Sequence, residues 1–123
     1  MRTILAIAVL LAVAGLGLWL LRLHLRRRHL PMAIGAHVLL GFAAFESMVV
    51  HIQQAGEGAG ARLGGQVALG LMGVALGLGL ATPLLAKDSR PRRNLMLAAH
   101  AGVGATAILL ALLWVTGAAT AAG

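Results

Sequence analysis

The sequence predicts an all-α membrane protein, a bundle of four transmembrane helices, on three observations. Apolar residues make up 60% of the 123 residues and charged residues only 11%. The apolar residues gather into four long runs, with a mean hydropathy of +0.94 over the chain. The Lys and Arg residues fall between those runs or at their very ends, and none lies in the middle of a run. A soluble domain of this length buries too small a share of its surface to hide so much apolar area. An ordinary soluble enzyme and a disordered tail are thereby excluded, and with no cysteine so is a disulfide scaffold. The single membrane domain covers residues 1–123, with expected spans at 3–23, 32–52, 63–86 and 94–116.

Each run crosses the roughly 30 Å hydrocarbon layer at about 1.5 Å per residue. The first holds Ala12-Val13-Ala14, a small-x-small pattern like a signal-peptide cleavage site. Its apolar stretch continues to Leu23, and the main positive cluster follows the run instead of preceding it, so the span is expected to be retained. A loop with Arg22, Arg26, Arg27 and Arg28 leads to the second span, in which Glu46 is the only carboxylate well inside a run. Gly56 to Gly60 make a flexible second loop without a phosphate-cradle signature. The third span is rich in glycine, with a Gly-x-x-x-Gly at Gly73 and Gly77 that allows close helix approach, and Pro83 kinks or ends it. Lys87, Arg90, Arg92 and Arg93 precede the fourth span, and the Ala, Thr and Gly tail after Thr116 is of low complexity. Trp19 and Trp114 sit near opposite boundaries, as in an aromatic belt.

Short connectors make consecutive spans antiparallel. Ten Lys and Arg against three Asp and Glu give a net charge of +7. In a soluble chain this would point to nucleic acid. Here the basic residues fill the first and third loops, with only Arg62 in the second and Arg2 at the N-terminus. The expected topology therefore has loops one and three in the cytoplasm and both termini outside, the basic loops facing anionic lipid. The partners are then the bilayer and other membrane subunits, not nucleic acid. The Ala, Gly, Leu and Arg bias is compatible with a GC-rich bacterium, and hence with a bacterial inner membrane.

A shift of 63 residues lays the first hairpin on the second. Gly35-Ala36-His37-Val38-Leu39-Leu40-Gly41 falls on Ala98-Ala99-His100-Ala101-Gly102-Val103-Gly104, so both copies read Ala-His-x-x-x-Gly. Parallel repeats of this kind are related by a pseudo-two-fold axis along the membrane normal, which would set His37 and His100 at one depth. Ionisable residues at membrane depth are costly and, by default, functional. Two imidazoles facing each other across a bundle match the axial ligation of one b-type haem. Gly41 and Gly104 would clear room for the flat ring, and Arg28 and Arg93 of the adjoining basic loops would meet its propionates. The plainer alternative is that each histidine bonds a carbonyl or hydroxyl of a neighbouring helix.

His51 follows His37 by 14 residues, returning to within about 40° of the same face roughly 21 Å higher. In this spacing within four spans the chain resembles membrane cytochromes b, whose helices carry paired histidines at that interval. The resemblance implies two stacked haems, but the repeat-mate of His51 is Trp114, which cannot ligate iron. It therefore implies one haem b here, with His51 left as an interfacial, quinone-facing or subunit-facing residue. Glu46, nearly opposite His37 on its helix, is a proton relay or quinone contact beside Ser47, or a carboxyl bonded to a neighbouring helix. His24 and His29 are expected to snorkel among the arginines.

The expected function is a small haem b subunit carrying electrons within a larger redox complex, with quinone a candidate partner. No nucleophile or acid-base pair marks a catalytic chain. The alternatives are a cofactor-free accessory subunit of a respiratory or photosynthetic assembly and, less favoured, a small transporter. Small multidrug transporters keep their glutamate in the first span and hold cations with aromatics, which here form only 3% of the chain.

Overall fold

The structure is a computed structural model that describes residues 1–28, 30–54, 59–86 and 88–121. The second-loop glycines Gly56 and Gly58, His29, Lys87 and the last two residues lie outside the described residues. The fold is all-helical, with α1 at Arg2–Leu25, α2 at Pro31–Gln54, α3 at Ala59–Leu85 and α4 at Arg90–Ala121. All four are long and apolar enough to cross a membrane, the pattern of a multi-pass membrane protein.

The helices run beyond the expected spans, most of all at the start of α3 and at both ends of α4, although α3 stops one residue short, at Leu85. Hydropathy marks where lipid ends, whereas a helix stops only where its hydrogen bonds stop. The start of α4 shows the difference. Ser89 acts as N-cap, its Oγ accepting from the Arg92 N–H at 3.4 Å, so the basic turn before Asn94 is already helical. Pro91 fits there because the first turn has no use for its missing N–H. Pro83 does not stop α3, which continues to Leu85. Helix α1 ends in a Schellman arrangement: Arg27 N–H donates to His24 O and Arg28 N–H to Leu23 O, both at 2.9 Å. Arg27 takes the left-handed conformation this requires, with φ of 57°.

Each helix packs on the two beside it in the order α1, α2, α3, α4 and back to α1, most extensively along α3 and α4. Helices α2 and α4 are thus diagonal. The core is built from Leu10 and Val13, Ala44 and Met48, Ala68 and Met72, and Ala107, Ala111 and Val115. The alanines let α3 and α4 approach closely. Buried positions correspond between hairpins, but not at one uniform shift. Ala6, Leu10 and Val13 of α1 match Ala68, Met72 and Ala75 of α3, a shift of 62. Ala44 and Met48 of α2 match Ala107 and Ala111 of α4, a shift of 63. The uniform shift of 63 is therefore corrected by one residue for the first helix of each pair.

Candidate functional site: a histidine pair between diagonal helices

His37 and His100 leave α2 and α4 toward the middle of the bundle, where their ring centroids lie 6.0 Å apart with planes 85° from parallel. Both side chains are half-buried. Position along the helix explains why they point inward. His37 stands two turns before Ala44 and three before Met48 on the buried stripe of α2, and His100 stands in the same relation to Ala107 and Ala111.

Two glycines seat the rings. A Cβ on Gly17 of α1 would stand 2.9 Å from Cε1 of His37, and a Cβ on Gly79 of α3 would stand 3.0 Å from Cε1 of His100. Side chains at those positions would displace the imidazoles. Nδ1 of His100 donates to the backbone carbonyl of Ala75, one turn before Gly79, at 2.7 Å. With its proton on Nδ1 the ring keeps its lone pair on Nε2. His37 faces the corresponding backbone at Val13, one turn before Gly17. Its Nδ1 nevertheless closes no hydrogen bond and is buried without a partner among the described residues.

Gly41 and Gly104 have a different position from the expected one. A Cβ on Gly41 would meet Leu76 at 3.0 Å and one on Gly104 would meet Ala75 at 3.8 Å, so both glycines admit α3. The glycines that bear on the imidazoles are Gly17 and Gly79. A sequence signal for them exists: Gly15-Leu16-Gly17-Leu18 recurs as Gly77-Leu78-Gly79-Leu80, at the shift of 62. Aligned at 63, Gly17 falls on Leu80 and the match vanishes.

Arg93 precedes His100 by two turns on the same side of α4, and its Nε is buried with no partner among the described residues. Arg28 is exposed beyond the end of α1. His24 reaches across from α1 to α4, with Nε2 3.3 Å from Oδ1 of Asn94. His51 is half-buried and Glu46 is exposed on the outward side of α2, opposite His37. Neither lines the groove of about 450 Å³ between α3 and α4, which is bounded by Leu63, Gly64, Val67, Leu110, Leu113 and Trp114. Trp114 turns inward from the boundary and covers Gly64 and Gly65, within 2.9 Å of where a Gly65 Cβ would stand. Gly73 faces Phe45 of α2, while Gly77 has nothing within 4 Å of its Cβ position.

The donor set limits what the pair can hold. A bare metal ion in a protein cage takes four ligands or more. Among the described residues no group of three or more His, Cys, Asp or Glu forms such a cage. Two imidazoles suit a metal that brings its own equatorial ligands, and metal–nitrogen bonds of about 2 Å on each side set ring centroids roughly 6 Å apart. In number and separation the two imidazoles would suit the two opposite positions on such a metal. Comparison of the chain with models of protein families, with curated proteins and with solved structures finds no match to any of them.

Proposed function

We propose that this chain is a small membrane haem b subunit that transfers electrons, with His37 and His100 as the two axial ligands. The observation that carries the reading is their 6.0 Å approach from diagonal helices. Bound between them, a haem iron would supply one-electron oxidation and reduction. The chain itself supplies orientation and charge. The Ala75 carbonyl fixes the tautomer of His100 and leaves Nε2 available, the usual outer-shell arrangement for a metal-bound imidazole. His37 turns toward the Val13 backbone as His100 turns toward Ala75, so its Nε2 would be the nitrogen available to a metal. Gly17 and Gly79 hold both rings against rotation by shape. The guanidinium of Arg93, with its buried unsatisfied Nε, offers countercharge to a propionate; the exposed Arg28 offers only a more distant one.

The arginine-rich end, with Arg22, Arg26, Arg28, Arg90, Arg92 and Arg93, is the cytoplasmic side in this reading, and the membrane is the bacterial inner membrane. His37 lies six residues into α2, about 9 Å from that end. One haem at this level cannot carry an electron across the whole bilayer, so a partner subunit or quinone would complete the path. Trp114 stands where a second haem's ligand would be needed, which keeps the count at one.

A second reading is favoured by the His100–Ala75 bond itself, since a helix-bridging histidine in a cofactor-free accessory subunit makes the same contact. One experiment separates the two. Purified protein is assayed by pyridine haemochrome and by reduced-minus-oxidised spectroscopy, alongside His37→Ala and His100→Ala. The haem reading expects one haem per chain and loss of the visible bands in either variant. A haem-free native chain, or unchanged bands in the double variant, overturns it.

A further inference from the structure

The electron-carrier reading leaves the position of Glu46 unexplained. It lies eight residues from the Gln54 end of α2 and 15 from Pro31, about 12 and 22 Å along the axis, so it sits deep in the apolar zone. It is exposed on the outward side of the bundle, where lipid offers no hydrogen bond. A carboxyl at such depth is costly and needs a partner. The exposed side of α2 around it has the spacing of a helix–helix seam: Leu39, Ala43, Glu46, Val50 and Gln53 recur at intervals of four and three residues, and all five are exposed. Ala43, one turn below Glu46, is small enough to let a second helix approach.

We propose that the chain forms a two-fold homodimer through this side of α2, with the Glu46 carboxyl of each copy hydrogen-bonded to the other. The chemistry selects a second copy. A two-fold interface sets each residue near the axis against its own counterpart and so must be self-complementary. A carboxylic acid carries one donor and one acceptor, which makes two of them complementary to each other. A foreign helix answering with Lys or Arg would bring another charge to the same depth at similar cost. The dimer does not depend on haem binding, since His37 occupies the opposite side of α2.

The test uses the full chain, which contains no cysteine. Single substitutions Ala43→Cys and Val50→Cys are oxidised in membranes beside Leu11→Cys and Leu109→Cys, outward positions on α1 and α4. Disulfide dimers should form at Ala43 and Val50 and not at the two controls. Light scattering in detergent should give the mass of two copies, with Glu46→Leu weakening association about tenfold. Glu46→Gln, whose amide also both donates and accepts, should stay within about threefold of native. A monomeric native chain, equal cross-linking at all four positions, or a Glu46→Leu variant that dimerises like the native chain would overturn the proposal.

Discussion

Gly17 lies so close to His37 that a Cβ at that position would stand 2.9 Å from Cε1, nearer than real Cβ contacts come. The imidazole occupies the volume where a side chain of α1 would otherwise be. Gly17→Ala should therefore force the ring off its seat and cost about 1–3 kcal/mol, the range for overpacking a closed core. Gly15 has nothing within 4 Å of its Cβ position, so Gly15→Ala should be neutral or stabilise by up to about 1 kcal/mol through helix propensity. Thermal unfolding of both variants in one detergent checks the contrast. Equal stabilities would remove the seat from the argument.

On the other side of the bundle the same substitution tests a hydrogen bond as well as a contact. A Cβ on Gly79 would stand 3.0 Å from Cε1 and 3.1 Å from Nδ1 of His100, the atom that donates to Ala75 at 2.7 Å. Gly79→Ala should lengthen or break that bond and, in the haem-bound protein, move the reduction potential and the visible maxima while leaving haem stoichiometry near one. Gly77→Ala, with open space at its Cβ, should leave the spectrum unchanged.

How much of this was legible follows from what each signal measures. Hydropathy reports the environment of a segment, so it located four helices, but it could not see the capped basic turn from Arg90 to Arg93. The Ala-His-x-x-x-Gly match drew attention to the two histidines, because a polar residue inside an apolar run has no background to hide in. Rotation about each helix axis was harder to read. Gly41, Gly104, Gly17 and Gly79 are all glycines near a histidine's level, and only packing decides that the first two admit α3 while the last two seat the rings. The one-residue difference between the shifts of 62 and 63 concealed the repeated Gly-Leu-Gly-Leu, since a side chain one position away on a helix points about 100° elsewhere.

At the opposite end of the bundle Trp114 makes a comparable prediction independent of any cofactor. A Cβ on Gly65 would stand 2.9 Å from Ile52 Cγ1 and from Trp114 Cε2 and Cζ2 at once. Three atoms on two helices cannot all give way cheaply. Gly65→Ala should destabilise by about 1–3 kcal/mol without altering any spectrum of the histidine pair. Denaturant titration in mixed micelles would show it. Replacing Trp114 by Leu in the same background should recover part of the loss, because the indole is the larger obstacle.

The end of α1 allows a stabilising change. Arg27 holds φ of 57° so that the N–H groups of Arg27 and Arg28 can satisfy the last carbonyls of the helix. A residue with a Cβ pays roughly 1–2 kcal/mol for that conformation, and glycine does not. Arg27→Gly should raise stability by up to about 1 kcal/mol, the gain reduced by the extra freedom glycine has when unfolded. The change also removes one of the arginines on which the inferred orientation rests, so accessibility labelling of Arg22→Cys in the same background should accompany the melting curve. With Arg22, Arg26, Arg28, Arg90, Arg92 and Arg93 otherwise biasing this end, the orientation should hold; an Arg27→Gly protein less stable than native would show that the left-handed residue carries no strain.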